Sequence, residues 1–130
     1  MKSLNLHESV TCLIYADQVW NSTGIELLES CSYSLETEAE AVWKDWFIST
    51  GPDGFTKWYL RWSAGKKRMK DENWFALIGT LNKEMPFLIG KGLQELRPPI
   101  TGELVCYAND ILSFYGNNSG SLALKVTRLI

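Results

Sequence analysis

The fold is decided by residues 103–127, which read ELVCYANDILSFYGNNSGSLALKVT. Every second residue is apolar in 104–108 and again in 122–126, and such a period of two is typical of β-strands. Between these runs, residues 109–120 are rich in glycine and in side-chain oxygen. The stretch therefore predicts two strands joined by a long polar loop.

The polar loop carries donor groups suited to a calcium ion. It contains one carboxylate, three side-chain amides and several turn-type carbonyls, and calcium takes about six to eight oxygen ligands in a flexible shell. Asp110, Asn117 and Asn118 are the natural donors. Composition alone favours a different interpretation over a calcium loop, namely a long polar hairpin whose asparagines and glycines serve only the turn.

The loop also resembles the metal and sugar loop of the bacterial galactose-binding lectins of the PA-IL (LecA) type. Their pattern is Asn-Asp, four variable residues, then Tyr-Gly-Asn-Asn-Ser-Gly, and residues 109–120 match all eight defined positions. The resemblance implies that calcium is held by the side chains of Asp110, Asn117 and Asn118 and by the carbonyls of Phe114 and Thr50. It also implies that two sugar hydroxyls complete the metal shell, assisted by Asp110, Asn117, Asn118 and the carbonyl of Ile111.

Four further segments resemble the family less specifically and occur in the same order along the chain. They are residues 20–24, 51–54, 77–79 and 101–104. One segment departs from the family's pattern. The galactose-binding lectins grip the sugar beyond the metal with a His-Pro-x-x-Gln segment, whereas this chain has KKRMKDE at 66–72 and its sole histidine is His7. The resemblance thus implies a calcium-bridged carbohydrate, with galactosides as the first candidates and the sugar preference left open.

The remainder of the chain predicts an all-β fold. Strand-like runs occur at 10–16, which is apolar on both faces, at 33–41, 75–81 and 86–90, and a turn leading into a short strand occurs at 20–25. Residues 56–73 fit either a short helix or a long loop. Closely spaced strands without a sustained helical period indicate an antiparallel sandwich. We expect one domain over residues 1–130, jelly-roll-like as in the lectins it resembles.

Charge, targeting signals and cysteine content exclude several classes of protein. Thirteen Lys plus Arg against fifteen Asp plus Glu give a net charge of −2, so neither nucleic acid nor an anionic membrane is an expected partner. No signal peptide or membrane-spanning run is found, so we expect synthesis in the cytoplasm, with export by a route without a signal peptide left open. Three widely spaced cysteines, Cys12, Cys31 and Cys106, favour free core thiols.

Catalysis finds little support in the sequence. One histidine near the start of the chain leaves a Ser or Cys nucleophile without a base, and the spacing of Asp45, Asp71, Glu72 and Asp110 singles out no carboxylate pair. The sequence therefore predicts a calcium-dependent, carbohydrate-binding lectin without enzymatic activity. The alternative is a structural or protein-interaction sandwich that has lost the sugar site.

Tryptophans and a basic cluster complete the set of candidate features. Each of the six tryptophans fits core or interface packing better than sugar stacking, and Trp58 and Trp62 are the candidates for exposed aromatics. The basic cluster 65–70 is expected to be a solvated loop, because acidic residues follow it. Since small lectins gain avidity by presenting several sites, a homo-oligomer fits this interpretation.

Overall fold

Two β-sheets face each other across an apolar core in this computed structural model, which describes residues 1–56 and 65–130. The strands are β1 (Lys2–Ser3), β2 (Ser9–Tyr15), β3 (Asn21–Leu27), β4 (Tyr33–Thr37), β5 (Trp43–Asp45), β6 (Ile48–Thr50), β7 (Leu77–Leu81), β8 (Glu84–Leu88), β9 (Gly92–Leu96), β10 (Gly102–Ala108) and β11 (Asn118–Arg128). A 3-10 helix, Leu112–Asn117, lies between the last two.

The first sheet has the order β1-β3-β10-β7-β8, and the second has the order β6-β5-β11-β4-β9 with β2 also paired to β11. The described pairings are antiparallel except that of β1 with β3, which is parallel. The predicted all-β antiparallel sandwich is confirmed.

The strands that flank the polar loop supply the centre of each sheet. In β11, Leu122, Leu124 and Val126 are fully buried and face the core, as their alternation predicts. β7 is buried along its whole length and β10 along nearly all of it, because a second apolar cluster covers their outer face. Full burial of an aliphatic side chain contributes about 1.5–3 kcal/mol, so these central strands account for much of the stability.

The polar loop is a crossover between sheets rather than a hairpin. β10 pairs with β3 and β7 in the first sheet, whereas β11 pairs with β2, β4 and β5 in the second. The polar-hairpin interpretation is therefore wrong. Alternation in a sequence shows that two runs are strands and which face of each is apolar, but it does not show which neighbours they pair with.

Several predicted strand limits also need correction. The run 33–41 divides, because β4 ends at Thr37 and a turn with positive φ at Glu40 separates it from β5. The turn leading into a short strand predicted at 20–25 needs a change of limits only, because β3 already begins at Asn21 and extends to Leu27. The run at 10–16 is apolar on both faces, but its outer face is not covered, because Leu13 is exposed there. The short β1 and the half-exposed β9 have too little alternation to be predicted.

The cysteine prediction is confirmed. All three cysteines are free; Cys31 and Cys106 are buried and Cys12 is partly buried. Burial raises the pKa of the Cys12 thiol to about 11 and that of Cys106 well above its usual value, so both stay protonated at neutral pH. Within the described ranges, no helix has the length and apolarity needed to cross a membrane.

Candidate functional site

Asp110 and Asn118 meet where the crossover leaves the first sheet and enters the second. Asp110 follows β10, Asn118 begins β11, and both side chains are buried. Asn118 Nδ2 donates to Asp110 Oδ2 at 3.1 Å and to the carbonyl of Ala16 at 3.0 Å. Asp110 Oδ1 accepts from the backbone N–H of Ile111 at 2.7 Å. Two of the predicted ligands are thus held together by the strand ends.

One polar atom of this pair lacks a partner. Asn118 Oδ1 is buried and accepts no hydrogen bond from any residue that the structure describes. Leaving a buried acceptor unpaired costs about 1–3 kcal/mol, and such groups in native proteins call for an explanation. Because this oxygen belongs to an amide that touches a buried carboxylate, the donor chemistry fits a hard cation.

The charge of Asp110 is held in an unfavourable environment. Burial raises the pKa of Asp110 to about 6 despite the hydrogen bonds from Ile111 and Asn118, and the negative charge of Asp45 raises it further. Asp45 lies directly opposite Asn118 in the pairing of β5 with β11. The fold therefore brings a second carboxylate to the pair. No spacing in the sequence links Asp45 to Asp110, because only the pairing of β5 with β11 brings them together.

The other predicted ligands lie around this pair in different ways. Asn117 has an exposed side chain, and its carbonyl accepts from the N–H of Trp46 at 3.0 Å. Phe114 is exposed in the 3-10 helix, and its N–H donates to the Ile111 carbonyl at 2.9 Å. That carbonyl, predicted to assist the sugar, already serves the helix.

Thr50, the predicted ligand most distant in sequence, is buried at the end of β6. It pairs with Trp43 of β5, and Trp43 pairs with Gly120 of β11. The strand order β6-β5-β11 therefore brings Thr50 to the neighbourhood of the crossover, two strands away from Gly120. Direct hydrogen bonds among the predicted site residues join Asp110 to Ile111 and Asn118 and join Phe114 to Ile111.

Asn109 is a structural clamp beside the site. Its fully buried side chain accepts from the Met69 N–H at 2.9 Å and donates to the carbonyls of Met69 and Asn73, each at 2.9 Å. Its backbone also bonds to Phe75 and Ala76. These bonds fix the segment that precedes β7 against the start of the crossover, so the first Asn of the loop pattern supports the site rather than facing it.

Arg68 corrects the expectation of a solvated basic loop. Its guanidinium carbon lies 3.4 Å from the ring centroid of Tyr107 and 4.3 Å from that of Trp20, a cation–π arrangement. It donates to the Tyr115 hydroxyl at 2.9 Å, and its backbone N–H donates to the Asp110 carbonyl at 3.2 Å. Trp20, Tyr107 and Tyr115 come from parts of the chain that only the tertiary fold brings together, so no local pattern predicts this contact.

The tryptophans divide into core and surface residues. Trp43 and Trp74 are buried, and Trp20 is half-buried beside Arg68. Trp58 and Trp62, the predicted exposed aromatics, lie outside the described residues. Trp46 is 67% exposed at the turn between β5 and β6, next to Phe47, which is 70% exposed. No pattern in the sequence distinguishes Trp46 and Phe47 from the other aromatic residues.

Comparison with known proteins supports the fold. No family model matches the sequence, and no curated protein matches it either. The chain superposes on a solved structure described as "EclA N-terminal domain; PllA-like lectin" with a TM-score of 0.68 and 18% sequence identity, covering 91% of this chain and 94% of that one. The chain therefore shares the fold of that domain, and this likeness does not single out the PA-IL type.

Proposed function

We propose that this protein is a calcium-dependent carbohydrate-binding protein, a lectin without enzymatic activity. The observation that carries the proposal is the buried Asp110–Asn118 pair, whose Asn118 Oδ1 has no partner in the described part of the chain. The eight-position match of the loop and the lectin-type fold support it. A cation at this pair would explain both the orphan oxygen and the buried carboxylate.

The ion would be held by side-chain oxygens of Asp110, Asn117 and Asn118 and by the carbonyls of Phe114 and Thr50. When bound, calcium supplies positive charge and open coordination positions for two hydroxyls of a sugar. Asp110 serves the site in a further way, because an ionised carboxylate can also accept a hydrogen bond from a sugar hydroxyl. The nearby charge of Asp45 adds attraction for the cation.

Galactosides are the proposed first class of ligand, because the loop has the pattern of the galactose-binding lectins. The preceding segment does not carry the His-Pro-x-x-Gln residues of that family. In their place, Arg68 points inward to Tyr107 and Tyr115. Selectivity would therefore depend on the hydroxyl pair that the ion accepts and on side chains elsewhere around the loop.

A glycan array tests the proposal directly, probed in calcium and again in EDTA. We expect galactose-terminated glycans to bind in calcium only, and Asp110→Asn to lose this binding. Glu36→Gln is the matched control, since it removes one negative charge from an exposed position on β4. Binding that persists in EDTA, or a blank array in calcium, would contradict the proposal, and a blank array would favour the protein-interaction module instead.

A further inference from the structure

We propose that Trp46 and Phe47 form a stacking subsite for a second sugar unit of a glycan whose first unit is bound at the calcium loop. This inference rests on the proposed function. It assigns the ligand class more narrowly, as an oligosaccharide rather than a single sugar.

The two rings form an exposed aromatic surface at the tip of the β5–β6 hairpin. Their centroids are 4.3 Å apart and their planes are inclined by 45°, and both side chains are more than two-thirds exposed. Trp43, in the same hairpin, is 1% exposed and packs in the core. A flat aromatic ring can pack on the apolar face of a pyranose while polar groups bind its hydroxyls.

The hairpin tip adjoins the candidate calcium loop. The N–H of Trp46 donates to the carbonyl of Asn117 at 3.0 Å, and Asp45, the residue before Trp46, pairs with Asn118. Asn117 and Asn118 are both proposed ligands of the ion. A glycan that begins at the ion therefore has an aromatic surface one backbone hydrogen bond away.

The turn holds Trp46 in a backbone conformation that a tryptophan disfavours. Asp45 pairs with Ile48, so Trp46 and Phe47 are the two residues of the turn. Trp46 has φ +56°, a conformation for which such turns favour glycine, asparagine or aspartate. Phe75 also has a positive φ, of +61°, but it is fully buried and packs against Trp43. Exposed residues such as Glu40 and Lys83 share the positive φ, so the conformation alone is no sign of function. At Trp46 it coincides with an exposed aromatic ring beside the candidate site, and that coincidence supports a role for the ring.

Polar groups accompany the two rings. Lys44 pairs with Ser49 on one side and with Ser119 on the other, and all three residues are exposed. Side chains of directly paired residues lie on the same face of a sheet. The hairpin thus offers Lys44 and Ser49 near its aromatic tip, and the neighbouring strand β11 adds Ser119. This combination suits a pyranose with one apolar face and several hydroxyls.

The test compares wild type with Trp46→Gly, which removes the ring and suits the positive φ. Calorimetry in calcium would measure the affinities for methyl galactoside and for galactose-terminated disaccharides. We expect Trp46→Gly to weaken disaccharide binding by about fivefold and to leave methyl galactoside binding and the calcium-induced rise in Tm unchanged. Leu13→Ala, which truncates another exposed apolar residue, should change neither affinity.

Equal disaccharide affinity in Trp46→Gly and wild type would overturn the subsite and leave the proposed function intact. A wild type that binds neither sugar in calcium would overturn both. Sedimentation shows whether a second copy of the chain covers the rings instead. A wild-type oligomer that dissociates on Trp46→Gly substitution would overturn the subsite as well.

Discussion

The Asn118 side chain donates to Asp110 Oδ2 over 3.1 Å, while its own Oδ1 is buried without a partner in the described ranges. Asp110 lies at the start of the crossover and Asn118 at its end, so this hydrogen bond joins the two sheets as well as two candidate ligands. Stability and the proposed metal binding therefore depend on the same atoms. Substitutions at the pair can separate these two roles. Stability measured in EDTA reports the structural role alone, whereas stability measured in calcium reports both.

Asn118→Ala should lower stability only modestly while abolishing the calcium response. The substitution removes hydrogen bonds to Asp110 and Ala16, but it also removes the unpaired Oδ1. These effects partly offset each other, so we expect a loss of about 1 kcal/mol in the free energy of unfolding in EDTA. Urea denaturation in EDTA and in calcium measures both quantities. A variant that gains stability from calcium as wild type does would contradict the ligand assignment.

Asp45→Asn should weaken calcium binding without abolishing it. The Asp45 charge acts on Asp110 across the β5–β11 pairing, and removing one nearby negative charge reduces the attraction for a divalent cation. We expect a loss of roughly five- to tenfold in calcium affinity by calorimetry. Glu36→Gln, with the same change in charge on β4, should have no effect. An equal effect of both variants would show that only the net charge matters.

The raised pKa of Asp110 predicts how stability without calcium depends on pH. Between the usual value of 3.8 and about 6, the folded protein binds this proton more tightly than the unfolded chain. The contribution of Asp110 to stability therefore falls as pH rises from about 4 to 6 and is lowest above pH 6. In EDTA, Asp110→Asn should remove that part of the pH dependence, about 2–3 kcal/mol over the window. Identical pH profiles would contradict the burial of an ionisable Asp110.

Arg68→Ala should destabilise the protein more than its partly exposed position suggests. The variant loses the cation–π contacts with Tyr107 and Trp20 and the bond to the Tyr115 hydroxyl. We expect a loss of about 2–3 kcal/mol in urea denaturation. Arg68→Lys should not restore the lost stability, because lysine lacks the planar guanidinium that stacks on the rings and also donates to the Tyr115 hydroxyl. Lys70→Ala, at an exposed position of the same segment, is the control and should be neutral.

Much of the fold could be predicted from local pattern. The buried rows of β7, β10 and β11 follow from alternation and from short apolar runs, and these strands form the centres of the two sheets. Pairing could not be predicted, because the same alternation suits a hairpin and a crossover. β9 was missed since its residues are half-exposed and lack an apolar row.

The candidate site could also be predicted only in part, because local pattern shows the donor residues but not the strand pairing that brings others to them. Asp110 and Asn118 are close in sequence and carry obvious donor chemistry, so the loop pattern was enough to select them. Asp45 and Trp46 reach the loop only through the pairing of β5 with β11 and the bond from Trp46 to Asn117. These contacts join residues about seventy positions apart, so the local periodicity of the sequence cannot predict them.

The most direct test of the central claim is a thermal melt of wild type and Asp110→Asn in EDTA and in millimolar calcium. A ligand that binds only the folded state raises Tm by mass action. We predict a calcium-dependent rise in Tm for wild type and none for Asp110→Asn. A wild-type Tm that is the same in EDTA and in calcium, or an equal rise in both proteins, would contradict the calcium site.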